Sequence, residues 1–156
     1  MSANTATAHA TSSSRASELM TTKLLTIPAG ASFLEVQHLF VVAQVSGAPI
    51  VDATGRVVGI VTASDLLRVS DQVHDDDLDP HPVPGVQGMT EQLRAYSAID
   101  MATRDVVWVS PDAPISQVAR RMREEGIHRV LVGDDGQLQG ILTSFDLLRA
   151  LEGPAT

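Results

Sequence analysis

The sequence has no cysteine. That excludes disulfides, thiolate metal sites and cysteine nucleophiles, and it fits a reducing, cytoplasmic setting. Aromatic side chains make up only 3% of a chain that is 44% hydrophobic, so its core must be aliphatic. No apolar run approaches the roughly 20 residues of a membrane span, and no membrane association is expected. Residues 1–17, rich in Ser, Thr and Ala, lack the apolar segment of a secretory leader and read as a disordered tail. Positive charge is short as well: one Lys and ten Arg face 19 acidic residues, for a net charge of −8. A polyanionic partner needs clustered basic residues, so nucleic-acid binding is not expected, and the acidity serves solubility. No nucleophile has a recognisable base beside it, so nothing in the sequence supports catalysis.

What the sequence does have is a repeat. GIVTASDLLR at residues 59–68 returns as GILTSFDLLR at 140–149, with seven of ten residues identical and an offset of 81. Met20 and Met101 share that offset, and each opens a similar passage. Val36 matches Val118 at 82, and Gly55 matches Gly136 at 81 again. Two compensating one-residue shifts are what a duplicated unit shows when its loops vary. The duplication covers residues 20–69 and 101–152 and sets the fold class.

Each copy reads alike. An apolar strand (24–27 or 106–109) leads through a Pro-containing turn into a helix. Ser32 and Glu35 have the spacing of a capping box in the first copy. In the second, Pro114 suits the first helical turn, Ile115, Val118, Ala119 and Met122 share one face, and Gly126 suits a left-handed stop. In the first helix, Phe33, Val36, Phe40 and Ala43 form the corresponding core face. A second strand (APIVD or HRVLVG), a glycine turn and a third strand (RVVGIVT or QLQGILT) follow, and the decamer runs from that strand into a last helix. The unit is β-α-β-β-α, an α+β arrangement. About 50 residues bury too little surface to stand comfortably alone, so the two copies are expected to pair. The boundaries read as a tail (1–17), repeat 1 (18–70), an acidic Pro-rich linker (71–99) and repeat 2 (100–153), with a short helix from Thr90.

Within the decamer, Thr62 and Asp65, and Thr143 and Asp146, stand three apart where a strand passes into a helix. The plain reading is a helix cap. The same geometry can bind a ligand. Free N–H groups at a helix N-terminus, with a Thr hydroxyl, suit a phosphate, and a carboxylate can accept both hydroxyls of a ribose. Gly59 and Gly140 permit close backbone approach within the strand.

This pattern, Gly-apolar-apolar-Thr-x-x-Asp-Leu-Leu after a small turn and an apolar strand, resembles the C-terminal half of a CBS domain. MTTKLLTIPAGASFLEV and APIVDATGRVVGIVTASDLL resemble further stretches of it. Two copies imply a tandem CBS pair, or Bateman module, packed about a pseudo-twofold axis. They also imply clefts for an adenosine-containing ligand: AMP, ADP, ATP or S-adenosylmethionine. The resemblance places ribose on Asp65 and Asp146, phosphate on Thr62 and Thr143, and the base against the backbone before the second strand. That segment is aligned as Gly47, Ala48 and Pro49 in repeat 1 and His128, Arg129 and Val130 in repeat 2. Ala48 and Pro49 would line the base, Arg129 would add charge for a phosphate, and His128 would be a donor. Each of these also has an ordinary structural reading.

HDDDLDPH at 74–81 matches no defined metal loop and reads as a solvated acidic segment. The helix SFLEVQHLFVVA is apolar nearly all round, leaving Leu34, Val41 and Val42 in need of cover by the other repeat or a second chain; the CBS resemblance, whose pairs commonly dimerise through such helices, implies a homodimer. The leading expectation is therefore a regulatory, energy-sensing module that binds an adenine nucleotide and signals allosterically to another, unidentified protein. A ligand-free dimerising scaffold, and a metal-responsive protein using the acidic linker, are the alternatives.

Overall fold

A computed structural model describes residues 14–76, 87–134 and 136–152. In chain order the elements are α1 (Ala16–Leu19), β1 (Ile27–Pro28), α2 (Phe33–Ala43), β2 (Gly47–Val51), β3 (Val57–Thr62), α3 (Ala63–Asp76) and α4 (Gln87–Arg94). Then come α5 (Ala98–Met101), β4 (Trp108–Val109), α6 (Ile115–Glu125), β5 (Arg129–Asp134), β6 (Gln137–Thr143) and α7 (Ser144–Glu152). The chain forms two compact units. One is Leu25–Asp105; the other joins the chain up to Leu24 with Val106 onward.

In the first-repeat unit, β2 is central, parallel to β1 and antiparallel to β3. The β2–β3 turn is built by Asp52, whose Oδ1 accepts from the Thr54 N–H and hydroxyl and from the Arg56 N–H, while Gly55 supplies φ 82°. Those bonds, the Thr54 hydroxyl first, hold the Asp52 carboxyl below its usual range. The capping box at α2 is present: Ser32 N–H donates to Glu35 Oε2 (2.7 Å) and Glu35 N–H to Ser32 Oγ (3.3 Å). Phe33, Val36 and Phe40 pack with Ile27, Ile50 and Val61 in the core. Ala43, expected on that face, is exposed, because α2 ends there as Gln44 turns left-handed at φ 54°.

Helix α3 continues through residues 71–76, where a linker was expected. Leu66, Val69 and Val73 recur at helical spacing and are all buried, so the apolar stripe outlasts the repeat. Helix α4 starts at Gln87, three residues before the expected Thr90, and buries Leu93 in the same core.

Pro49 sits in the central strand, a place proline normally avoids. Its cross-strand partner Ile60 turns both backbone groups outward to Thr103, at 2.9 Å each. Pro49 and Ile60 are therefore a non-hydrogen-bonded pair, and the proline nitrogen faces the β1 side, where the paired residues Ile50 and Val51 come later in the strand. The missing N–H falls where the ladder has no claim on it.

The second-repeat unit repeats this plan with β5 central. Ile115, Val118 and Met122 of α6 pack on Val130, Val132 and Leu142, and Gly126 ends α6 at φ 65° as expected. Ala119, expected on the buried face, is exposed.

Packing groups the chain differently from the duplication. Residues 14–21 join the second-repeat sheet: Ala16 N–H donates to Ala113 O, and Thr21 bridges Ile141. Residues 97–103 join the first-repeat sheet, where Thr103 bridges Ile60. This explains Gly59 and Gly140. A Cβ on Gly59 would lie 3.0 Å from the Thr103 carbonyl oxygen and 3.2 Å from the Ala102 Cβ, and one on Gly140 would lie 2.7 Å from the Met20 Cγ. The close approach at both glycines is made by the chain's own segments.

Candidate functional site

The two Thr-x-x-Asp motifs occupy matching strand–helix junctions, one in each unit. At β3–α3, Asp65 Oδ2 accepts from the Thr62 N–H (2.8 Å) and hydroxyl (2.9 Å). At β6–α7, Asp146 Oδ2 accepts from the Thr143 N–H and hydroxyl, both at 2.8 Å. The next amide is engaged too: Ala63 N–H donates to Ser46 O and Ser144 N–H to His128 O, both at 2.9 Å. Asp146 N–H lies 3.3 Å from Thr143 Oγ1, completing a cap. The second motif thus forms both halves of a capping box and the first shows its Asp-to-Thr half, and each threonine proton is directed at its own aspartate. Several amides that were expected to be open to a phosphate already have partners.

The motifs differ around the carboxylate. Asp65 is 6% exposed, the only buried charged residue among those described. Its Oδ1 accepts from Arg68 at 2.9 Å, and the same guanidinium nitrogen donates to Met101 O at 3.1 Å. Asp146 is half-buried, and both bonds described for its side chain fall on Oδ2. Arg149, which holds the place of Arg68 in the decamer, is exposed and makes no described ion pair with Asp146.

Strand pairing corrects the alignment of the flanking segment by one residue. Thr62 faces Gly47 and Thr143 faces Arg129; Val61 faces Ala48 and Leu142 faces Val130. Arg129 therefore corresponds to Gly47, Val130 to Ala48, Leu131 to Pro49 and His128 to Ser46. The 82-residue offset seen in the first helix persists through this strand. Arg129 opens β5 beside Thr143, partly exposed, and His128 is exposed. Ala48 (2% exposed) and Pro49 lie inside β2, so their side chains belong to the core.

Sequence reasoning missed Arg68 and Met101. The signal for Arg68 was present, since an acid and an arginine three apart on a helix face one another. Two grooves, about 490 Å³ beside Glu35 and His38 and about 400 Å³ beside Gln117 and Arg121, lie at matching places, and none of the eight candidate residues lines either. Of the acidic run, His74, Asp75 and Asp76 form the last turn of α3, whereas Asp77, Asp79 and His81 lie outside the described residues. Among the described residues no cluster suits a metal ion, and no helix is long and apolar enough to cross a membrane.

A family model described as CBS domain matches residues 16–71 and 98–153. The chain is 31% identical to the uncharacterized protein MJ1426 of Methanocaldococcus jannaschii, over 76% of this chain and 80% of that one. The solved CBS domain of a CBS domain containing membrane protein from Sphaerobacter thermophilus is also 31% identical. It has a TM-score of 0.77 and covers 93% of this chain and 92% of that one. The CBS domain pair of protein MJ0100, solved in complex with 5'-methylthioadenosine and S-adenosyl-L-methionine, is 25% identical with a TM-score of 0.68, covering 87% and 98%. Some curated relatives are longer: 5'-AMP-activated protein kinase subunit gamma-3 of Sus scrofa is 29% identical over 78% of this chain, which spans 22% of its length.

Proposed function

From the premise that this chain belongs to the CBS domain family, as a tandem pair, we propose that it is a regulatory module that binds an adenosine-containing ligand. AMP, ADP, ATP and S-adenosylmethionine are the candidates. The observation that carries the reading is the doubled Thr-x-x-Asp at matching strand–helix junctions. Support comes from the relative MJ0100, whose CBS pair was solved with two adenosine-containing ligands. An aspartate of one motif would hold the ribose, and the helix start beside it would face the phosphate or sulfonium end, with Arg129 adding charge at the second motif. Binding would be signalled to another protein, in the manner of a subunit that senses energy state.

A homodimer is part of this proposal. Val41 (72% exposed), Val42 (67%) and Val45 (37%) stand together at the end of α2 without cover. Light scattering at micromolar concentration is expected to give twice the chain mass, and a monomer alone would contradict the dimer. One observation favours a ligand-free scaffold instead: the threonine and aspartate groups already satisfy each other as caps.

Thermal unfolding with AMP, ADP, ATP, S-adenosylmethionine, Mg²⁺ or Zn²⁺ added singly separates these readings. A ligand at a hundred times its Kd stabilises by about 2.7 kcal/mol, which raises the midpoint of a chain this size by roughly 5–10 °C. A rise with one of the adenosine compounds is the expected result. No rise with any of them at millimolar concentration would favour the scaffold, and a rise with a metal alone would favour the metal-responsive reading.

A further inference from the structure

We propose that Arg68 closes the first Thr-x-x-Asp motif, so that Asp146 alone offers a carboxylate oxygen and one adenosine ligand binds per chain. This rests on the adenosine reading above and adds which motif carries it.

A ribose diol needs lone pairs on the carboxylate and a path to reach them. At Asp65 the path is shut and only about one lone-pair site, on Oδ1, is left for a diol that needs two. Oδ2 takes two donors from Thr62, Oδ1 takes the guanidinium of Arg68, and the side chain is 8% exposed. The guanidinium is tied down on its other side by the Met101 carbonyl at 3.1 Å, so clearing the carboxylate breaks two hydrogen bonds. At Asp146, Oδ2 is engaged in the same way, but no described donor reaches Oδ1 and the side chain is partly open. Arg149 occupies the matching decamer position, yet it is exposed and pairs with neither Asp146 nor Leu19, which ends its short helix as Met101 does, among the described contacts. The identical letters of the decamer thus make one closed carboxylate and one open one, and the arginine three residues on decides between them.

Calorimetric titration of the full chain with AMP, ATP and S-adenosylmethionine tests this. Wild type is expected to bind one ligand per chain. Asp146→Asn should weaken binding at least about thirtyfold, since it removes a charge-assisted acceptor. Asp65→Asn should stay within about threefold of wild type, with a lower melting midpoint. Arg68→Gln, at a side chain 57% exposed and so tolerant of change, should admit a second ligand. Two equal sites in wild type, binding lost in Asp65→Asn but kept in Asp146→Asn, or an Arg68→Gln protein that still binds one ligand would each overturn the inference. No binding of any of the three compounds overturns the adenosine reading itself.

Discussion

Gly133→Val is expected to destabilise the second-repeat unit by about 3 kcal/mol, near the upper end for overpacking a core. Gly133 lies where the β5–β6 ladder shifts register, between Val132 and Gly133. A Cβ there would run into the carbonyl oxygen of Gln137 and lie 3.0 Å from both its carbonyl carbon and Trp108 Cζ3. Gln137 is met through its backbone, so no rotamer change relieves the contact; β6 must move and Trp108 with it. The first repeat has Val51 at the matching shift, opposite Val57, so its ladder already admits a branched side chain. Trp108 is the only tryptophan, and its emission reports this unit directly. The fluorescence midpoint should fall by roughly 10 °C. An unchanged midpoint would mean that β6 yields without loss.

Asp65→Ala should cost about 2–3 kcal/mol, while Asp146→Ala should cost about 1 kcal/mol. The second figure is that of an ordinary helix cap. The first adds a buried acceptor whose loss strands the Thr62 donors and releases Arg68 from its place between Asp65 and Met101. The ion pair itself is discounted, because Arg68 is more than half exposed and solvent screens it. Urea unfolding of the two variants checks the ranking. Equal losses would show that the arginine bridge contributes nothing beyond the cap.

Much of this fold was legible because duplication shows each element twice. The Ser32–Glu35 box, the Gly126 stop and the strands among the described residues follow from spacing and turn residues, with the first strand of each repeat starting later than its apolar run. What was not legible depends on partners distant in sequence. Gly59 and Gly140 look like openings for a ligand until Thr103 and Met20 are seen against them. Pro49 looks unsuited to a central strand until the bridge of Ile60 to Thr103 shows which way its nitrogen faces. The acidic letters of 71–76 hid a helix whose continuation was written in Val69 and Val73. The alignment of Arg129 slipped by one because apolar residues on both sides of the slip look alike, and only strand pairing separates them.

The candidate site divides the same way. The capping geometry of Thr62–Asp65 and Thr143–Asp146 was readable from three-residue spacing. The difference between them was not, because it lies in the carbonyl of Met101, 33 residues from Arg68 in the chain.

The measurement closest to the central claim is an amide NMR titration of the full chain with AMP, ATP and S-adenosylmethionine. The account predicts that at least one of these shifts the signals of Thr143, Ser144 and Asp146 in a saturable way, while those of Thr62 and Asp65 move less. Saturable shifts confined to other residues, or none with any of the three compounds, would contradict it.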